Sequence, residues 1–119
     1  MDIYCQDITH QDVKSMNTDH TLGETIRALR KQRSEPLRVV AAAIEIDSTL
    51  LSKIERGERF PTDVQIARLA EYFDIPRDEL TAQVIADRIV SAYGYQPTTL
   101  QAVRIVRERV VPYLEECNE

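Results

Sequence analysis

The run from Pro36 to Arg59, PLRVVAAAIEIDSTLLSKIERGER, constrains this chain more than any other stretch. It reads as a short helix, a tight turn, a second short helix and a stop. Pro36 suits the first turn of a helix, where its missing N–H is no loss. Leu37, Val40, Ala41 and Ile44 then fall inward at helical spacing. Asp47 is an N-cap residue type, so a helix is expected from Ser48 to Arg56, and Gly57 is the expected stop. On a helical wheel Leu50, Leu51 and Ile54 cluster on one side. Ser48, Thr49, Ser52, Lys53 and Arg56 cluster on the other. A compact domain needs the first side for its core. The second side is small, polar and weakly charged, the kind of surface that fits a DNA major groove. Any amphipathic helix exposes polar residues, however, so the wheel alone leaves this reading open.

The flanking sequence predicts more helix and no strand. Thr21 with Glu24 has capping-box spacing, and Leu22, Ile26 and Leu29 repeat behind it to about Arg33. Ser34-Glu35-Pro36 breaks the chain. Thr62 with Gln65 is a second box, followed by a helix to about Phe73 that should bury Val64, Leu69, Ala70 and Phe73, with Ile66 less regular. After Asp74-Ile75-Pro76 a longer helix is expected from about Arg77 to Tyr93. Its apolar residues lie on two sides: Leu80 and Val84 on one, Ile85, Ile89 and Ala92 a right angle or more away. A helix apolar on two sides is buried on two sides. Gly94 to Pro97 reads as a turn. Thr98 with Gln101 has the spacing of a third box, and Leu100, Val103, Val106, Val110 and Leu114 follow at helical spacing. Pro112 is expected to kink or end that last helix.

The fold class is therefore all-α. Residues 1–20 show no sustained period and read as a flexible arm, although Ile3, Tyr4 and Ile8 could dock on a partner subunit. Residues 21–80 form the helix-turn-helix domain, and residues 81–119 form a helical extension.

The formal net charge of −5 argues at first against a polyanionic partner, but its distribution matters more. Residues 1–20 carry one Lys and four Asp. Residues 21–59 hold eight Lys and Arg against six Asp and Glu, and residues 60–119 hold six against ten. Base is thus concentrated around the two short helices, enough for modest non-specific attraction to DNA. Cys5 and Cys117 lie near opposite ends without metal-ligand spacing, so a zinc site is not expected and a disulfide is weakly indicated at most. No secretory signal or membrane span is legible, and a cytoplasmic protein is the simplest expectation. His10 and His20 fall in or beside the arm, the serines lack a neighbouring base, and no Gly-rich phosphate loop exists. We therefore expect no catalytic, metal or cofactor site.

Residues 22–80 resemble the lambda repressor/Cro class of helix-turn-helix domains, often called the XRE family. The resemblance rests on LGETIRALRKQR, VVAAAIEID, STLLSKIERGERFP and IARLAEYFDIPRDEL. It implies a five-helix DNA-binding domain with an extra C-terminal helix, its third helix lying in the major groove of double-stranded DNA. By position, the resemblance places Ser48, Thr49 and Lys53, with Ser52 between them, as base-reading residues. It places Arg56 at a phosphate; Arg38, beside Leu37, and Arg59 are expected as further phosphate-binding residues. It implies an ion pair between Arg30 and Glu55 that ties the first helix to the reading helix. Two positions depart from the family pattern. Leu37 stands where Gln commonly opens the second helix, and Glu45 stands where the inter-helix turn commonly has Gly. Ser48 and Thr49 are short, so DNA shape is expected to assist recognition.

Members of the class usually bind inverted repeats as two-fold dimers. An isologous homodimer interface is expected from Ile85, Ile89, Leu100, Val103 and Val110; alternatively the last helix completes a monomeric core. The IDSTLLSKIERGER form is similar to regulators that accompany restriction–modification and other defence genes. A second functional reading is a helix-turn-helix antitoxin that uses an acidic end to mask a basic toxin. A third is a helical scaffold that no longer binds DNA.

Overall fold

A computed structural model describes residues 20–117, with the side chain of Cys117 outside the description. Among the described residues there are six helices and no strand: α1 (Leu22–Gln32), α2 (Leu37–Ala43), α3 (Ser48–Glu55), α4 (Asp63–Phe73), α5 (Arg77–Tyr93) and α6 (Pro97–Cys117). Among these residues no helix is long and apolar enough to cross a membrane. The arm and the Cys5–Cys117 question lie outside the described residues.

The helix starts follow local chemistry. The Thr21 and Thr62 hydroxyls accept from the amides of Glu24 and Gln65, whose side chains return to the two cap amides. The Glu24 carboxyl is held below its ordinary range, first by the Thr21 amide and then by His20. Pro36 sits at the cap position, one residue before α2 rather than within its first turn.

The helix ends share one device. At Ser34, Glu45, Gly57 and Asp74 the chain turns left-handed, with φ between 56° and 78°. Each time, the next residue's amide reaches back five positions to a carbonyl (Glu35 to Arg30, Ile46 to Ala41, Glu58 to Lys53, Ile75 to Ala70), the paired-bond stop that Gly favours. Only one of the four is Gly. Asp tolerates this region better than Glu does, so Glu45 is more strained than Asp74. The turn between α2 and α3 thus keeps a Gly-like shape without Gly. Glu45→Gly is expected to stabilise the fold by about 0.5–1 kcal/mol, because relief of left-handed strain outweighs the extra entropy of an unfolded Gly. The Glu45–Arg68 pair removed with it is exposed and 3.6 Å long, hence weak. Chemical denaturation of the variant is the check.

The core is one cluster drawn from α1 to α5: Leu22 and Ile26; Val40, Ala41 and Ile44; Leu51; Ile66, Leu69, Ala70 and Phe73; Leu80 and Val84. Several sequence expectations need correcting. Val64 is 57 % exposed and Ile66 is buried instead. Ile66, Leu69, Ala70 and Phe73 make a single stripe, and Val64 lies about 200° from Ile66 on the wheel. Leu50 is only half-buried and stays outside the cluster. Thr98 lies inside α6, not at its cap. Pro97 is the first helical residue, and the Gln96 carbonyl accepts from Thr99 and Leu100. Pro112 does not end α6, which runs on to Cys117. A boundary drawn after Leu80 falls within α5, whose Leu80 and Val84 both belong to the core.

Candidate nucleic-acid interface

Helices α2 and α3 present the polar face. Asp47 accepts from the Leu50 amide at 2.7 Å and fixes the start of α3. Leu51 and Ile54 are buried beneath it. Ser48, Thr49 and Arg56 are exposed, and Ser52 and Lys53 are half-buried between them. Arg38 near the start of α2 and Arg59 beyond α3 are exposed as well. Leu37 opens α2 and packs, half-buried, against the core. An apolar residue there cannot bind phosphate, whereas the neighbouring Arg38 is free to approach one.

Three observations describe how α3 is held. Arg30 of α1 grips Glu55 with two parallel bonds, Nε to Oε2 at 2.8 Å and Nη2 to Oε1 at 3.0 Å. Its remaining Nη1 donates to the Glu35 carbonyl at 3.0 Å, so one guanidinium clamps α1, α3 and the connection into α2. The side chains are only 12 % and 6 % exposed. The Glu55 bonds hold the guanidinium pKa above its ordinary value. Second, Gly23 of α1 is buried against the last turn of α3. A Cβ there would lie 2.4 Å from the Ile54 carbonyl oxygen and 2.5 Å from that of Glu55. Third, Arg68 of α4 reaches under the α2–α3 turn, to the Ile44 carbonyl at 3.4 Å and to Glu45.

Arg56 has neighbours of its own. It donates to Glu58 at 2.8 Å and to the Ser52 hydroxyl. The pair raises the Arg56 pKa and lowers that of Glu58. Both groups are about half exposed, so the pair is weak and exchangeable. A phosphate reaching Arg56 would displace Glu58.

Sequence reasoning missed Gly23, Arg68 and Asp87. Asp87 of α5 accepts the Leu22 amide at 2.8 Å and anchors the start of α1. Arg33 and Tyr72 were missed too: Arg33 stacks at 5.0 Å from the Phe73 ring centroid and donates to the Tyr72 carbonyl, while the Tyr72 hydroxyl donates to Glu35. Gly23 had a local signal, a Gly inside a helical pattern. The others depend on interactions between residues far apart in sequence.

The residues expected at a dimer interface lie on α5 and α6. Ile85 and Leu100 are 54 % exposed, Val103 and Val110 are exposed, and Ile89 is half-buried. Among the described residues, Val111 is the buried apolar residue of α6, and it lies outside the main core cluster.

An all-α core that presents a short capped helix across a tight turn defines a helix-turn-helix protein. Residues 21–83 match the helix-turn-helix domain family, and the chain belongs to it. The uncharacterized HTH-type transcriptional regulator YazB of Bacillus subtilis (strain 168) is 38 % identical over 58 residues, spanning 49 % of this chain and 84 % of that protein. No solved structure matches at a comparable level.

Proposed function

We propose that the chain is a sequence-specific regulator of transcription that binds double-stranded DNA, in the manner of the lambda repressor/Cro-like (XRE) class. The observation that carries this reading is the outward face of α3. Ser48, Thr49, Ser52 and Lys53 face away from the core on a helix whose start is capped and whose end is clamped. Arg38 on α2, Arg56 at the end of α3 and Arg59 just beyond it are exposed, with Arg56 paired to Glu58. In this reading Ser48, Thr49, Ser52 and Lys53 meet base edges, and the three arginines meet phosphates. The reading contains no catalytic step and no cofactor, and it places the protein in the cytoplasm.

Lys53→Ala is expected to weaken preferred duplexes more than random ones. Arg56→Ala is expected to weaken both about equally and to shallow the salt dependence by about one unit for each arginine–phosphate pair removed. Fluorescence anisotropy on both duplexes across a salt series measures this. Indistinguishable behaviour of the two variants would refute the division of roles.

One short reading helix spans few base pairs, so the proposal includes a homodimer on an inverted repeat. The exposed Ile85, Leu100, Val103 and Val110 and the half-buried Ile89 support it. Light scattering at micromolar concentration should give twice the chain mass; a monomer both with and without DNA would exclude the dimer. The IDSTLLSKIERGER form supports control of a restriction–modification or other defence operon, and an adjacent methyltransferase gene is the corresponding check.

A further inference from the structure

Helix α6 has a sequence that does not hold a helix unaided. Seven of its 21 residues are Val, Ile or Thr, whose branched side chains lose rotamer freedom in a helix. Pro112 stands inside it, with no N–H to donate to the Glu108 carbonyl. Such a helix owes most of its stability to packing of an apolar face. Yet from Leu100 through Glu116 every residue except Val111 is exposed. The first turn is tied to α5, where the Thr99 hydroxyl donates to the Tyr93 carbonyl at 3.4 Å.

The apolar face itself is present. Val103, Val106, Val110 and Tyr113 alternate spacings of three and four, the repeat of helices that pair with other helices, and Leu100 and Leu114 run along one edge. Between α5 and α6 lies an apolar groove of about 540 Å³, lined by Ile89, Ala92 and Tyr93 on one side and Ala102, Val103 and Val106 on the other. The stripe on α6 begins in this groove and continues past it as a ridge of Val110, Tyr113 and Leu114. Two-fold self-pairing requires one patch to present both shapes. The exposed apolar side chains of α5 and α6 amount to roughly 800 Å² per chain, the share each partner gives to a standard stable interface.

We propose that a second copy of the chain covers this surface, and that α6 beyond Val103 is helical only when it does. Dimerisation and the ordering of α6 are then one event. The inference rests on the homodimer reading above and adds that the separated chain lacks the outer part of α6.

Hydrogen exchange on the full-length chain, read beside light scattering, tests this. The parent should scatter as a dimer and protect the amides of residues 104–111. Val106→Asp with Val110→Asp should give a monomer in which those amides exchange at least about tenfold faster. The amides of Ile26, Leu51 and Leu69 in the core should keep their protection. Gln101→Asp with Ile105→Asp sets the same two acids at exposed positions off the stripe and should change neither mass nor exchange. A monomeric Val106/Val110 variant with slow exchange in α6 would overturn the coupling and leave the dimer standing. A monomeric parent would overturn both. A Val106/Val110 variant that stays dimeric, or a Gln101/Ile105 variant that loses the same protection, would also overturn the proposal.

Discussion

Glu55→Ala is expected to remove about 3–5 kcal/mol of stability, the range for stranding one partner of a buried ion pair. The reason is less the missing bond than the charge left behind. Arg30 would keep its donation to the Glu35 carbonyl but would have no carboxylate, at a site where its side chain is only 12 % exposed. A domain of this size holds only about 5–15 kcal/mol in total, so the melting temperature should fall by roughly 15–30 °C. The double variant Arg30→Met, Glu55→Leu separates the two causes. Replacing both partners with apolar residues of similar volume is often nearly neutral, and most of the stability should return. The double variant should still bind DNA less well, because the bidentate grip that orients α3 has gone. Thermal melts of single and double variants, read beside duplex affinity, check both halves. A single variant as stable as the parent would mean that the pair is solvated.

Gly23→Ala is the second large effect, and two terms of opposite sign decide it. Ala is the better helix former by about 1 kcal/mol. Against that, the new Cβ would lie 2.4–2.8 Å from backbone atoms of Ile54 and Glu55. Those atoms are the last turn of α3, not a side chain that can swing aside. Helix α1 or α3 must therefore move as a body, and overpacking of this kind costs about 1–3 kcal/mol, occasionally more. The steric term wins because the blocking atoms are backbone, with a net loss of up to about 2 kcal/mol. The displacement also strains the two Arg30–Glu55 bonds at 2.8 and 3.0 Å, so DNA affinity should drop by more than the reduced stability explains. Denaturant melts and anisotropy on the same variant test this. Unchanged stability and affinity would show that α1 and α3 have slack between them.

Legibility in the sequence followed the range of the interaction. The boxes at Thr21 and Thr62, the cap at Asp47 and the stop at Gly57 are each written within a few residues, and each helix start or stop falls where that chemistry puts it. Amphipathic phase was legible for α3 at Leu51 and Ile54 but not at Leu50, nor in the first turn of α4, where Val64 invites a core assignment that Ile66 takes. Arg30 and Glu55 lie 25 residues apart; periodicity cannot pair them, and the family resemblance did. Gly23 left a local signal, a Gly inside a helical pattern, but its contact with α3 arises only on packing, and Arg68 and Asp87 were illegible because their partners lie on other helices. Glu45 was marked as a departure, but the sequence could not say whether the turn would change shape or absorb strain. It absorbs strain, at φ 63°.

The central claim is that the outward face of α3 reads base sequence, and selection of duplexes from a random pool tests it most directly. Parent protein at low salt should enrich one motif with two-fold symmetry. Lys53→Ala should enrich a motif relaxed at particular positions, and Arg56→Ala should enrich the parent motif with lower yield. Failure of the folded parent protein to enrich any sequence, or the same motif recovered undiminished by Lys53→Ala, would contradict the account.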